Sequence, residues 1–373
     1  MKNYKIFLLI QLLVAMSLFS CSSDDEEPIQ TGEEKDYTEV FIERLTTLVD
    51  DIKTLRDEAT FGEKAGMYPE GSEEILDTEI TKLENHLTSL KDGSKKIRPS
   101  DMDRIIDEAN NSKSKFRTTM RTEDFIAIPA ELYVNGKNGG YIDFGIHHEY
   151  SNFGEQGKQA FTVELWMKFE SFGSFDHILT NFIDGQDNPR LRKGWGINYY
   201  NEASNKLLRM TYPIGDYDLF EPGIEFEDVG QWVHIAIVTN EPMTDDDDPH
   251  FFKMYINGNL AKKENHGRGN SYTSNDEPTS MLGFIYANYD GSIGEFRKGT
   301  VGYMKHIHIW KEAKTQAEIQ SIMNDPESVT KDSPNLVCGW TFNRTVSNEN
   351  AIKDITGKFS AKLLGDYQWR TNP

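Results

Sequence analysis

Phe161-Thr162-Val163-Glu164-Leu165-Trp166-Met167-Lys168-Phe169 decides the fold, because its large apolar residues fall at every second position. Successive side chains of a β-strand point to opposite faces, so Phe161, Val163, Leu165, Met167 and Phe169 share one face and Thr162, Glu164, Trp166 and Lys168 the other. Working outward, similar short runs occur at Gly194 to Tyr200, Leu207 to Tyr212, Gln231 to Thr239, Phe252 to Asn257, Tyr303 to Trp310 and Val337 to Phe342. Gly, Asn and Asp separate them, with Asn257-Gly258 and Asn138-Gly139 as tight-turn signals. Many short strands joined by such turns predict two packed antiparallel sheets over residues 121–373.

Upstream the period changes. Phe41, Leu45, Leu48, Ile52 and Leu55 recur at steps of four and three, as do Leu76, Ile80, Leu83, Leu87 and Leu90. Met102, Ile106, Ala109, Phe116 and Met120 follow the same rhythm. Each series forms one stripe on a helix, and such narrow stripes need one another for stability. Residues 36–120 are therefore expected to form a three-helix module, with Ser100 and Asp103 spaced as a capping pair at the third helix. Thr315 and Glu318 predict a capping box for a helix inside the β region.

The order of motifs from Ala130 to Trp369 resembles the laminin G-like jelly rolls of the concanavalin A-like lectin and glucanase type. Glu131 to Gly136 with Tyr141 to Phe144 is similar to their opening strand pair, and Phe161 to Trp166 to the next hallmark. Gln231-Trp232-Val233-His234-Ile235-Ala236 followed by Tyr255-Ile256-Asn257-Gly258 is the most specific match. The resemblance implies a mainly β jelly-roll sandwich behind a small α-helical bundle. It also implies noncatalytic recognition of a polysaccharide or glycoprotein glycan. A protein-binding or structural adhesion module is the alternative, and a glycoside hydrolase is the less favoured reading.

The first twenty residues read as a signal peptide: Lys2 and Lys5, an apolar run from Ile6 to Met16, then Leu18-Phe19-Ser20-Cys21. This resembles the lipobox of bacterial lipoproteins and predicts lipidation at Cys21. Residues 21–35 are an acidic, flexible tether. Asp24-Asp25-Glu26-Glu27 resembles the signal that carries Bacteroidetes lipoproteins to the outer face of the outer membrane, where the chain is expected to be lipid-anchored. The chain holds 40 Lys and Arg against 61 Asp and Glu, a net charge of −21, which disfavours nucleic acid as a partner. Cys338 has no mate once Cys21 carries lipid.

Candidate ligand residues follow from subtraction among six tryptophans. Trp166, Trp232, Trp310, Trp340 and Trp369 lie in the strand hallmarks, leaving Trp195. With Asn198, Tyr199 and Tyr200 on the same strand, Tyr212, Asp216 and Tyr217 around the next turn, and Tyr286 and Tyr289 in a later loop, it forms the expected glycan-binding set. Aromatic faces stack on sugar C–H faces, while amides and carboxylates orient hydroxyls. Glu164 is a lone acid where hydrolysis needs two. His306 and His308 share a strand face at a spacing that can chelate zinc, without a visible third ligand. His234 is read as a hydrogen-bonded core residue. Asp245 to Asp248 is a solvated loop that leaves calcium possible.

Overall fold

The structure, a computed structural model, describes residues 36–151, 159–185, 188, 191–202, 205–214, 218–239, 251–265 and 278–371. Cys21, the acidic tether, Asp216, Tyr217 and Asp245 to Asp248 lie outside the described residues.

Three helices, α1 (Thr38–Asp57), α2 (Glu74–Lys91) and α3 (Pro99–Thr118), come first. Their stripes meet in one core containing Leu45, Ile52, Leu76, Leu83, Met102 and Phe116. On α3 the buried stripe runs through Ile105, while Ile106 is half-buried and Met120 lies exposed beyond the last turn. The α3 start differs from expectation: Pro99 stands in the first turn behind Arg98, and no side chain caps it. Proline supplies the helical φ without needing a hydrogen-bond partner for its nitrogen, which removes the need for Ser100 to cap.

Among the described residues seventeen strands follow in chain order. They are β1 (Glu131–Asn135), β2 (Tyr141–Ile146), β3 (Phe161–Ser171), β4 (Phe175–Thr180), β5 (Gly196–Glu202), β6 (Asn205–Ile214), β7 (Asp218–Phe220), β8 (Gly223–Glu225) and β9 (Trp232–Thr239). After these come β10 (Phe251–Ile256), β11 (Asn259–Asn265), β12 (Ser280–Gly283), β13 (Val301–Trp310), β14 (Leu336–Thr341), β15 (Ile352–Lys353), β16 (Ser360–Leu364) and β17 (Tyr367–Arg370). A single turn, α4 (His148–Ser151), follows β2, and α5 (Gln316–Asn324) follows β13. One sheet runs β11-β10-β9-β3-β13-β1-β17 with β14 on β13; the other runs β15-β16-β2-β12-β4-β5-β6-β7 with β8 on β6. The pairings within both sheets are antiparallel.

The sandwich expected from the period-two runs is thus formed. Its core lies between the sheets, where Val163, Leu165 and Met167 of β3 face Ile197 of β5, Leu208 and Met210 of β6 and Phe144 of β2. Burial of such side chains is worth roughly 1.5–3 kcal/mol each before entropy is counted. Thr315 forms the expected capping box with Glu318, and α5 lies on the outer face of the first sheet, Ile319 packing with Ala236, Val238 and Tyr255. The helical module meets the edge of the second sheet. Gly71 approaches Ala351 so closely that a Cβ would fall 2.1 Å from the alanine Cβ, and Lys353 Nζ lies 2.9 Å from Glu70 and 3.2 Å from Glu73.

Candidate binding cleft

Two consecutive inward residues, Ile178 and Leu179, are both fully buried, and the register of β4 against β5 shifts between His177 and Leu179. Such a slip re-aims the side chain beside it. His177 lands on the outer face of the second sheet, in a row with Asn198 of β5 and Arg209 of β6, which are its cross-strand partners in turn. The adjoining row is Thr180, Gly196 and Thr211. Gly196 keeps the floor low: a Cβ there would lie 2.5 Å from Thr180 Oγ1.

A cleft of about 860 Å³ opens over these rows. Its floor is a hydrogen-bonded network. Arg209 Nε donates to Asn198 Oδ1 at 2.7 Å, Asn198 Nδ2 donates to Thr211 Oγ1 at 2.9 Å, and Thr211 Oγ1 donates to Glu221 Oε1 at 3.3 Å. Arg209 Nη2 closes the set against Glu221 Oε1 at 3.2 Å. The Arg209 guanidinium also lies 4.3 Å from the Tyr200 ring centre and 5.3 Å from that of Phe175. Each of these groups has its rotamer fixed by a neighbour, so the floor is preorganised.

One wall is the hairpin from Tyr286 to Gly294, closed by the Ala287–Ile293 bridge and by Gly294 N donating to Tyr286 O at 2.9 Å. Tyr286 is closely packed. Its ring stacks on His177 at 4.3 Å, and a Cβ on Gly294 would come within 2.3 Å of the ring, a close approach that only glycine allows. Tyr289 stands at the hairpin tip with 44% of its surface exposed. Phe182, Asp184, Leu219 and Lys298 complete the rim. Burial pushes the His177 imidazole down to about 3, with Lys298 and Arg209 adding repulsion, so the ring is neutral. Its buried Nδ1 has no hydrogen-bond partner.

Four of the expected residues meet here: Asn198, Tyr200, Tyr286 and Tyr289 all line the cleft. Three do not. Trp195, Tyr199 and Tyr212 are 0%, 1% and 1% exposed and belong to the core. Trp195 Nε1 donates to Tyr150 O at 2.9 Å, and Tyr199 stacks on Phe172 at 3.9 Å. The cause is alternation: Trp195, Ile197 and Tyr199 point inward, so Gly196, Asn198 and Tyr200 point outward. The subtraction among tryptophans fails for a related reason, since Trp166 and Trp232 of the family hallmarks are half-buried on the outer face of the first sheet. His177, Arg209, Thr211, Glu221 and Lys298 were not anticipated. Arg209 and Thr211 were readable, because they alternate with Leu208, Met210 and Tyr212 on β6.

Glu164 sits elsewhere, on the outer face of the first sheet. His308 Nδ1 lies 3.0 Å from Oε1, Trp310 Nε1 donates to the same oxygen at 3.3 Å, and His234 Nε2 lies 3.3 Å from Oε2. Desolvation favours the protonated acid, but the hydrogen bonds and charges of His234 and His308 outweigh it and hold the carboxyl down to about 2. Ile322 and Pro326 roof the cluster, and the void beneath them admits no water. His306 Nδ1 is 3.4 Å from Thr341 Oγ1, and the His306 and His308 rings are 6.3 Å apart. Among the described residues no three His, Cys, Asp or Glu side chains are arranged to hold a metal ion, so His306 and His308 gain no third ligand there. Cys338 is a buried free thiol.

Comparison with known proteins bears on both modules. A family model described as a domain of unknown function matches residues 40–120. Pappalysin-1 of Homo sapiens is 25% identical over 184 residues, 45% of this chain, and that of Mus musculus is 24% identical over the same length. The chain spans about a tenth of these relatives, 10% in each case. Among solved structures, a Bacteroides ovatus protein provisionally assigned to carbohydrate binding aligns with a TM-score of 0.46 at 15% identity, over 68% of this chain and 63% of the other. The pentraxin of Limulus polyphemus aligns with a TM-score of 0.40 at 12% identity, over 65% and 95%. The family model of the concanavalin A-like lectin/glucanases superfamily, of the laminin G type, matches residues 135–320, and the β-sandwich of this chain belongs to that superfamily.

Proposed function

We propose that the chain is a glycan-binding surface lipoprotein whose ligand occupies the cleft over β4, β5 and β6. The observation that carries this reading is the floor network of Asn198, Arg209, Thr211 and Glu221, locked on a rigid sheet beside the half-buried ring of Tyr200 and the exposed ring of Tyr289. A concave site with a few fixed polar groups among aromatic surface suits a ligand with hydroxyls on its edges and C–H bonds on its faces. Binding occurs without cleavage in this reading. The four carboxylates among the described lining residues are already held, Glu221 by Arg209 and Thr211, Glu295 by Lys298, Asp184 by Arg192 and Asp290 by Ser292, whereas hydrolysis needs a pair free to flank the bond.

The test is titration of the full chain against an array of soluble polysaccharides and glycoprotein glycans. Arg209→Gln and Asn198→Ala should weaken the polymer that binds by roughly ten- to a hundredfold, the scale of a hydrogen bond involving a charged group. Unchanged affinity in both variants, with the far-ultraviolet spectrum intact, would overturn the reading. Anchorage through Cys21 and display on the outer membrane belong to the same proposal. They are tested by Cys21→Ala, which should release the protein from the membrane fraction, and by protease accessibility on intact cells.

A further inference from the structure

The charges around the cleft are arranged in closed pairs. Arg209 faces Glu221 at 3.2 Å, and Lys298 Nζ faces Glu295 Oε1 at 3.1 Å. Glu295 is held on its other oxygen by Arg297 at 2.5 Å, and Asp184 by Arg192 at 2.9 Å. Among the described residues Asp290 has no cation of this kind: Ser292 N and Oγ donate to its Oδ1 at 3.0 and 2.6 Å and hold its carboxyl below the ordinary range. His177 adds no charge, being neutral. Among the described lining residues there are thus two cations, each already facing a lining carboxylate, and four carboxylates, one of them without a cation.

We propose that the cleft takes uncharged sugars and excludes uronate- or sulfate-bearing ones, an inference that rests on the glycan-binding reading of the same site. An anionic sugar would give up its hydration without gaining a free counter-charge from the described lining residues. It would have to break an existing ion pair or lie near Asp290, and the chain's net charge of −21 opposes its approach. A hydroxyl both donates and accepts. A neighbouring pair of hydroxyls can therefore donate to Glu221 and accept from Arg209 without separating them. Neutral hydroxyls also leave the pairs intact, so binding should depend little on salt.

The experiment is calorimetric titration of the full chain with matched polymers. Soluble β-glucan, α-mannan, galactomannan and arabinoxylan are the neutral set; polygalacturonate, alginate and chondroitin sulfate are the acidic one. The expected result is binding confined to the neutral set, weakened by Arg209→Gln and changing less than about threefold between ~0.05 and ~0.5 M salt. The double variant Asp290→Asn, Glu295→Gln removes the unpaired acid and releases Lys298. It should admit an acidic polymer with a gain of about tenfold, a shift of one ordinary charge contact. Acidic polymers bound by the wild type and lost in Asn198→Ala would overturn the charge selection while leaving glycan binding standing. Retained neutral binding in the double variant without any acidic gain would overturn the electrostatic cause. Binding of no polymer from either set would overturn both this inference and the reading beneath it.

Discussion

Two polar clusters occupy equivalent positions on the outer faces of the two sheets, and they have opposite fates. Glu164, His234, His308 and Trp310 lie on β3, β9 and β13 of the first sheet; Asn198, Arg209 and Thr211 lie on β5 and β6 of the second. Both are networks around an acid. The first is sealed because α5 crosses above it, pinned by its capping box and by Ile319, and no water fits under Ile322 and Pro326. The second has only a hairpin along one side, and a cleft of about 860 Å³ remains. Residue chemistry alone would rank the Glu–His–His set as the better active site. Coverage separates them: the first set is closed to water, and the second stays open to a ligand, as the proposed function requires.

The largest expected effect separates these roles. Removing Glu164 leaves the buried ring nitrogens of His234, His308 and Trp310 without their acceptor, so Glu164→Ala should cost about 3 kcal/mol or more in urea unfolding and leave glycan affinity unchanged among molecules still folded. Glu221→Gln should do the reverse. Glu221 is about one-third exposed, so its stability cost should stay below about 1 kcal/mol while binding weakens. A Glu164→Ala loss below about 1 kcal/mol would show that the sealed cluster is not a structural keystone.

The next effect concerns pH, where one histidine from each region can be compared. His177 at the cleft wall is pushed down to about 3 and His306 beside the sealed cluster to about 4, in both cases chiefly by burial. A histidine that is neutral when folded but takes a proton when unfolded stabilises the fold fully above the unfolded value near 6.5. That stability drains as pH falls toward the folded value. Each should contribute a slope approaching about 1.4 kcal/mol per pH unit between about pH 6 and 5. Glu164 works at lower pH, its contribution present above about 4.5 and lost toward 2. Unfolding free energies should therefore decline from pH 7 to 5, and His177→Gln and His306→Gln should each reduce the slope. Only His177→Gln should also disturb glycan affinity, since it removes the ring stacked under Tyr286. A slope unchanged in both variants would refute their burial as neutral groups.

How much of this was legible in the sequence follows from where one period suffices. The β3 run fixed its own faces, the three helical stripes became the core of the first module, and Thr315 with Glu318 capped the helix as their spacing required. The cleft was legible in half. The structure brings Asn198, Tyr200, Tyr286 and Tyr289 together at one cleft, but Trp195, Tyr199 and Tyr212 were included because rings were counted without applying alternation across Trp195 to Tyr200. His177 was beyond local reasoning, because its outward aim depends on a register slip between β4 and β5. Arg209 meets Glu221 only after β6 turns back through β7. The roof over Glu164 was equally hidden, since α5 follows Trp310 in sequence but crosses above His234 and Glu164, which belong to earlier strands.

The smallest effect tests the junction between the helical module and the sandwich. Lys353 faces Glu70 and Glu73, and Lys362 faces Glu74 at 3.2 Å, all in partly exposed positions with Lys353 40% and Lys362 45% accessible. Exposed pairs of this kind contribute little, so Lys353→Ala and Lys362→Ala together should cost about 1 kcal/mol or less. The contact beneath them is different in kind, because Gly71 has a positive φ and no room for a side chain against Ala351. Gly71→Ala should therefore loosen the junction more than both lysine changes, through strain and collision rather than charge. Limited proteolysis between residues 118 and 131 provides the measurement. Faster cleavage in Gly71→Ala than in the double lysine variant, with glycan affinity unaltered in either, would show that close packing at β15 joins the modules and that the cleft, at the far side of the same sheet, does not depend on it. Cleavage accelerated mainly by the lysine changes, or by high salt in the wild type, would assign the junction to its ion pairs instead.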